Sequence, residues 1–419
     1  MAIARSVAIV GGGIGGLTAA NALKRIGLSV SLYERSPYFI PTAGAGFGFQ
    51  PNGQIALNYI GLRDQAEHLV HPFHKWQLID DHGRVLNSSN RLSEYGPRFG
   101  FYLGGAARAE LVDILKQPLE NADLIHYSHN LIDLQQDTDG VTLKFENPDQ
   151  KLARVDMVIG ADGIHSTVVR RIFSPTALPV YSNENIFYGV IERIDEQTTI
   201  NPLVTAKHTL TQYFGRGEFV TYRISNKGEM IWAATYPSKE PPTKGNDNEW
   251  TTMNNQRELT RLLTRFPQSH PVHQCAAVTD PQRLLHFGLY YRQHRADGWH
   301  RQRIGLLGDA CHATLPYIGQ GANLAIEDAV LLAVVLEKNH FHIESSFDEY
   351  FKKRYKRTKL AADVARYLGR FSHSENRFIH AIRQSLMPRL MSSNLMLRIA
   401  EKELYENCPI PIENKKNKI

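Results

Sequence analysis

A chain of 419 residues with 42% apolar content has length for two or three domains with proper hydrophobic cores, which excludes a disordered or fibrous protein. Three widely spaced cysteines, Cys275, Cys311 and Cys408, form neither a disulfide framework nor a CxxC pair, so a cysteine-stapled secreted fold and a zinc site are excluded and a reducing compartment is favoured. The net charge of +6 is a C-terminal property: from Tyr350 onward 16 Lys+Arg face 6 Asp+Glu, interleaved with apolar residues as on a solvated helix face, which argues against a nucleic-acid-binding tail.

The chain passes within six residues from Met1 into VAIVGGG, leaving no room for a secretory leader. No later run reaches eighteen uninterrupted apolar residues, so the expectation is a cytoplasmic protein without stable membrane insertion. The opening SVAIVGGGIGGLTAANALKRIGLSVSLYERS reads as a short strand, a glycine turn, a helix over about 15–26 and a second strand ending at Glu34. Gly11, Gly13 and Gly16 supply GxGxxG spacing: a tight turn, close backbone approach to a pyrophosphate, and close packing of helix on strand. Ile14 and Gly15 lie in the turn, where the helix N-terminus offers unpaired amides to phosphate. Glu34, eighteen residues after Gly16, suits an adenosine ribose; Arg35 follows it. A lone GxGxxG also makes ordinary turns, and this unit does not separate FAD from NAD.

Farther on, RVDMVIGADGIHSTVVRRIF places a buried strand over 155–160 before Asp162-Gly163, then a helix that Ser166 caps; Arg170 is either a surface charge or an anion contact. Between about 181 and 289 the pattern turns to strand-like alternation rich in β-branched and aromatic residues, which predicts an antiparallel sheet, joined by the segment 73–86. Alternation sets Gln212 and Phe214 opposite Thr211 and Tyr213, and sets Phe219, Thr221 and Arg223 opposite Val220 and Tyr222; the sequence leaves open which face turns inward. Tyr213, Tyr222 and Arg223 are therefore candidate catalytic or substrate residues, with Tyr188, Trp232 and Tyr236 beside them. Plain packing is the competing reading for the aromatics, and an exposed strand position for Arg223.

RIGLLGDACHATLPYIGQGANLAIEDAVLLA repeats the nucleotide-unit plan: a strand over 304–307, the Gly308-Asp309 turn, a Pro- and Gly-rich loop, then a helix after Gly319-Gln320-Gly321. His312 is either a general base or a satisfied hydrogen-bonding group, and Cys311 a small buried hydrophobe. From about 347 to 405 the chain reads as helices with Ile379, Ile382, Leu386, Leu390 and Leu397 on one stripe, packed against the body of the protein, and 412–419 reads as a frayed tail.

GxGxxG at Gly11 to Gly16, Asp-Gly at 162–163 and Gly-Asp at 308–309, in this order and at these separations, together resemble the group A flavoprotein monooxygenases, the aromatic hydroxylases related to salicylate, 3-hydroxybenzoate and urate hydroxylases and zeaxanthin epoxidase. The likeness spans roughly residues 5 to 340. It implies an α/β fold: a Rossmann-type FAD-binding domain (1–72, 98–180 and 287–346) interleaved with an antiparallel-sheet substrate domain (73–97 and 181–286), then C-terminal helices (347–419). It further implies that Asp309 meets the ribityl chain of FAD, and that Pro316 and the backbone of Gly319, Gln320, Gly321, Ala322 and Asn323 lie beside the flavin ring. RAELVDIL resembles the family's Arg-x-x-Leu helix, carrying Arg108 to the phosphates, and GAGFGFQPNG over Gly44 to Gly53 resembles its flavin-proximal loop, carrying Gly46.

The activity implied is hydroxylation or epoxidation of an aromatic or other electron-rich small molecule, with NADH or NADPH as transient co-substrate, O2 as oxidant and a flavin C4a-hydroperoxide as oxygen donor. No second GxGxxG follows a strand, as in that family. A same-fold FAD reductase or dehydrogenase without oxygen insertion is the alternative, and a non-catalytic dinucleotide sensor a further one. No metal and no nucleic acid is expected, and the protein is a monomer or homodimer.

Overall fold

The computed structural model describes residues 2–39, 46–150, 152–174, 177–194, 200–215, 217–225, 227–242, 256–373 and 394–411. The stripe residues Ile379, Ile382, Leu386 and Leu390, the loop positions Gly44 and Ala45, and the tail 412–419 lie outside them. Among the described residues no helix is long and apolar enough to cross a membrane.

A six-stranded sheet runs in the order β18 (His300–Arg301), β19 (Ile304–Leu306), β12 (Met157–Gly160), β1 (Ser6–Val10), β2 (Ser29–Tyr33) and β8 (Ile125–His126). All neighbours are parallel except the β18–β19 pair. Val7, Ala8, Ile9, Val158 and Ile159 are fully buried, as parallel strands covered on both faces require. The expected strand over 155–160 is interrupted at Asp156, whose carboxylate accepts from the Arg5 and Ser6 amides at 2.9 and 2.8 Å and pins the start of β1.

The helix Ile14–Arg25 follows β1. Gly11 has φ +105°, and a Cβ on Gly16 would stand 2.0 Å from the Gly11 carbonyl oxygen, so the turn tolerates a side chain at neither. A Cβ on Gly15 would meet Ala325 at 3.2 Å, which lets this helix pack closely against the long helix Gly321–Lys338.

The second large sheet has seven strands: β17 (Leu284–Tyr291), β13 (Val180–Ile191), β16 (Met230–Pro237), β15 (Glu218–Arg223), β14 (Thr209–Phe214), β5 (Lys75–Ile79) and β6 (Val85–Ser89). The segment 73–86 contributes to it as expected. The sheet is not wholly antiparallel, because β14 pairs in parallel with β5; β5 belongs to an earlier hairpin that joins the edge from elsewhere in the chain. Four expected boundaries fall inside continuous elements: 97 within the short helix Tyr95–Phe99 and 180 at the first residue of β13, with two more. Position 286 lies within β17, and position 346 within the helix Ile343–Ser372, which no Pro or Gly interrupts before Gly369.

Two small antiparallel sheets complete the body, β3 (Gly46–Phe49), β7 (Gly104–Ala107) and β4 (His71–Pro72), and β9 (Leu131–Gln136), β10 (Val141–Phe145) and β11 (Ala153–Val155). A Cβ on Gly105 would lie 2.0 Å from the Arg223 carbonyl oxygen. This contact seats β7, and with it the small sheet β3-β7-β4, on the end of β15 of the seven-stranded sheet.

On the seven-stranded sheet, Tyr213, Phe219, Trp232 and Tyr236 pack under the helices Gln256–Leu263 and Val272–Val278. The opposite set, including Gln212, Glu218, Val220 and Tyr222, faces the cavity between the sheets.

Behind the Gly308-Asp309 turn lies a dry ionic network. Asp328 Oδ2 accepts from the Gly308 amide at 2.9 Å and meets His312 Nε2 at 2.5 Å; its Oδ1 accepts from Arg354 Nε at 2.5 Å. Arg354 also bonds Glu327 and the Leu324 carbonyl oxygen, and Glu327 accepts from Asn52 at 2.9 Å. Arg354, Glu327 and Asp328 are completely buried. Burial alone would raise Asp328, but His312 and Arg354 hold its carboxyl well below the usual carboxylate range. Its stabilising contribution is therefore complete above the unfolded-state value and disappears only as pH falls through that depressed range. Replacing Arg354 with Leu removes the buried cation that Glu327 and Asp328 share, leaving only His312 on Asp328 and Arg357 on Glu327, and urea denaturation should show a loss of about 3–5 kcal/mol; a loss under about 1 kcal/mol would mean the network is not the brace described.

Candidate functional site

One continuous cavity of about 2560 Å³ runs from the first glycine turn to the inner face of the seven-stranded sheet. A drug-sized ligand needs about 300–1,000 Å³, so this space accommodates an extended dinucleotide and a second small molecule.

At one end the wall is formed by Gly11, Gly13, Ile14, Gly15, Glu34, Arg35 and Arg108. A Cβ on Gly13 would meet nothing within 4 Å, so the start of the Ile14 helix opens directly onto the cavity. Gly16 does not line it; that glycine serves the packing of helix on strand. Glu34 lies one residue beyond β2 rather than within it. Its Oε2 accepts from the Gly12 amide at 2.6 Å and its Oε1 from the Ser36 amide at 2.9 Å, which fixes the carboxylate at the rim with lone pairs to spare.

Asp162 and Gly163 line the middle. Asp162 Oδ2 accepts from the Thr167 and Val168 amides at 2.7 and 3.1 Å, while Ser166 caps the same helix through the Val169 amide. Among the described residues Asp162 Oδ1 is buried with no hydrogen-bond partner, and burial pushes the carboxyl up against the opposing hydrogen bonds. Arg170 is neither a free surface charge nor an unengaged anion contact: its guanidinium bonds the His165 carbonyl oxygen and Thr167 Oγ1. Arg292, a residue the sequence did not single out, ties the Ile164 and Ala177 carbonyl oxygens together behind this loop.

Asp309, Pro316, Gly319, Gly321 and Ala322 line the next stretch, and Gly46 faces them. Gly308 and Gly319 have φ of +60° and +61°, conformations that favour glycine. Gln320 and Asn323 do not line the cavity with their side chains. Both are fully buried: Gln320 bonds Gln50 and Asn52, and Asn323 accepts from the Gln50 amide at 2.9 Å and donates to the Gly48 carbonyl oxygen. They brace the loop from behind.

The far end is the inner sheet face: Leu210, Gln212 and Phe214 on β14, Glu218, Val220 and Tyr222 on β15, Ile231, Ala233 and Thr235 on β16, and Ile186, Tyr188 and Val190 on β13. Of the four catalytic candidates only Tyr222 is here. Tyr213 is buried on the opposite face against Phe219 and His270. Arg223 also points away, and it is buried rather than exposed, with its guanidinium on the Thr205 carbonyl oxygen. Trp232 and Tyr236 share that outer face, bonded to Thr279 and His286.

His312 is buried in the ionic network and does not reach the cavity, so it is not a base for a substrate there. Cys311 is buried. Its Sγ, His312 Nε2 and an Asp328 oxygen lie within 4.8 Å of one another, but Gly308, His312 and Arg354 already share that carboxylate.

Sequence reading missed the polar groups of the inner face. Gln212 Oε1 accepts from Trp76 Nε1 at 2.6 Å and its Nε2 donates to Glu218 at 3.2 Å. Glu184 accepts from Tyr317 OH at 2.7 Å, and His373 Nε2 lies 3.0 Å from Tyr317 OH and 2.9 Å from Thr235 Oγ1. One signal was present: the helices at 256–278 fall between β16 and β17, and they cover the face that carries Tyr213 and Arg223.

Known proteins match this architecture. The chain is 29% identical to an FAD-dependent monooxygenase of Gibberella moniliformis over 355 residues, covering 80% of this chain and 77% of that one. It is 27% identical to aurachin C monooxygenase/isomerase of Stigmatella aurantiaca, covering 93% and 95%. HpxO of Klebsiella pneumoniae, solved with FAD and uric acid, superposes with a TM-score of 0.83 at 23% identity over 97% of this chain and 98% of that one, which supports the expected fold. Residues 4–365 match the family model described as an FAD binding domain, and the chain belongs to that family.

Proposed function

We propose that this protein is an FAD-dependent monooxygenase that uses NADH or NADPH and O2 to hydroxylate or epoxidise an aromatic or other electron-rich small molecule. The carrying observation is the single cavity that begins at a dinucleotide turn and ends on an aromatic sheet face. A sensor needs only the first end. The monooxygenase names of the relatives support the same reading.

The residues fit the cofactor. Asp162 Oδ1 is a buried acceptor with no partner, suited to a ligand hydroxyl. A Cβ on Gly13 or Gly321 would meet nothing within 4 Å, leaving two helix N-termini open to the cavity. Gly11 to Gly15, with Arg35 and Arg108, would hold the pyrophosphate; Glu34 the adenosine ribose; Asp162, Gly163 and Asp309 the central chain; and Gly46, Pro316 and Gly319 to Ala322 the ring. When bound, the flavin supplies hydride acceptance and oxygen activation.

The protein contributes position and electrostatics. Amides at the start of the Gly321 helix, at the positive end of its macrodipole, favour negative charge on the ring beside them. Ile186, Val190, Val220, Ile231 and Ala233 keep the sheet end dry, and Tyr188 and Tyr222 offer ring-stacking walls. Tyr188 OH is spent on the Gly46 carbonyl oxygen, which ties the sheet to the expected ring position. Three unpaired cysteines, two of them buried, fit the cytoplasm.

Reconstitution with FAD should give a yellow protein, and Asp309→Ala should weaken FAD affinity at least about tenfold, roughly 1.4 kcal/mol, read by fluorescence titration; an unchanged affinity would remove Asp309 from the site. In aerobic stopped-flow, a true substrate should accelerate consumption of NAD(P)H and O2 in step and yield an oxygenated product. Substrate reduction without O2 uptake would identify a dehydrogenase instead.

A further inference from the structure

Glu218 sits on β15 and lines the cavity. Across from it on β14, Gln212 is orientated by Trp76: an indole N–H only donates, so Gln212 turns its oxygen to Trp76 and its NH2 to Glu218 Oε1 at 3.2 Å. No other hydrogen bond reaches this carboxyl from the described residues. Thr235 lies directly opposite on β16, and its hydroxyl is engaged with His373.

The titratable and charged groups around Glu218 are few. Glu184 on β13 bonds Tyr317, with Arg370 acting on it electrostatically. Tyr317 and His373 bond each other. Arg223, one strand position out of phase, faces away. Burial pushes Glu218 up to about 8, with Gln212 opposing and Glu184 adding to the rise. Among the described residues, a carboxylate on a bound ring would therefore meet acids here and no guanidinium, whereas an N–H or O–H would meet an acceptor with one oxygen to spare. Trp76, Phe214 and Tyr222 wall the same space.

We propose that Glu218, set by the Trp76–Gln212 pair, is the specificity-determining acceptor for a ring O–H or N–H, and that the site selects neutral aromatic donors over rings bearing a carboxylate. This rests on the cavity's sheet end being the substrate site of the monooxygenase read above. The ionised carboxylate is the stronger acceptor, so donor binding tightens as pH rises through the range in which Glu218 loses its proton.

The test measures dissociation constants from the perturbation of flavin absorbance in the FAD-loaded protein. The probes are 2-naphthol and 4-hydroxyquinoline, their O-methyl ethers, and 6-hydroxy-2-naphthoate. Each parent donor should bind about tenfold more tightly than its ether, and the naphthoate more weakly than 2-naphthol. Parent binding should tighten several-fold between about pH 6.5 and 8.5, ether binding should not, and Glu218→Gln should abolish the pH dependence. Ethers that bind as tightly as the parents, a naphthoate that binds best, or a pH dependence that survives in Glu218→Gln would each overturn the assignment. The ranking on the unmodified protein decides whether or not the variant folds. Because binding is read without turnover, a protein that ranks ligands as expected yet forms no oxygenated product counts against the monooxygenase reading and leaves the acceptor role standing.

Discussion

The arrangement depends on one buried carboxylate. Asp328 holds the amide of Gly308, the ring of His312 and the guanidinium of Arg354, joining the Gly-Asp turn, the Gly321 helix and the Ile343 helix at a fully buried point. Charges leave water only when paired and fully hydrogen-bonded, so the geometry around Asp328 has little slack. Through Glu327, Asn52, Gln320 and Gln50 the same polar chain continues to the back of the Gly319 loop and to the helix Pro51–Tyr59. The loop beside which a flavin ring would lie is thus a rigid surface held from behind, although it contains two glycines, Gly319 and Gly321.

Charge is segregated along the cavity. Arg35 and Arg108 lie with the glycine turn, and Glu218, with Glu184 nearby, lies at the sheet end. A phosphate-bearing cofactor is favoured at the first by these guanidiniums and the open helix N-terminus, and is disfavoured beside the two carboxyls at the second. Neutral aromatic walls separate the two ends, which limits direct competition between cofactor and substrate for the same cations.

Much of the nucleotide half was legible because its chemistry is written in backbone. Gly11 and Gly308 occupy positive φ, Gly16 abuts a carbonyl oxygen, and Ser166 caps a helix; such demands narrow the residue choice at a position and leave a spacing that can be read. The sheet half was legible only as alternation. Period-two patterning places Tyr222 and Arg223 on opposite faces but carries no sign, so Arg223 was taken as a possible anion partner when it faces the helix-covered side. Glu218, beside a glycine turn, carries no motif that singles it out. The parallel pairing of β14 with β5 was hidden as well, because the two strands lie far apart in the chain and no local turn encodes their contact.

The contrast between His312 and Glu218 shows what sequence position cannot decide. His312 follows a recognised motif and has the side chain most often used for proton transfer, yet its Nε2 is held by Asp328 in a sealed network. Glu218 belongs to no motif, and among the described residues one of its oxygens has no partner while the other takes a single amide hydrogen bond. A buried polar group whose hydrogen-bond capacity is filled by its own fold can only stabilise that fold; one left partly unfilled, at the wall of a dry cavity, carries a desolvation cost that a ligand can relieve. By that criterion the inner face of the seven-stranded sheet, and not the motif-bearing turn, is where selectivity among ring substrates is set.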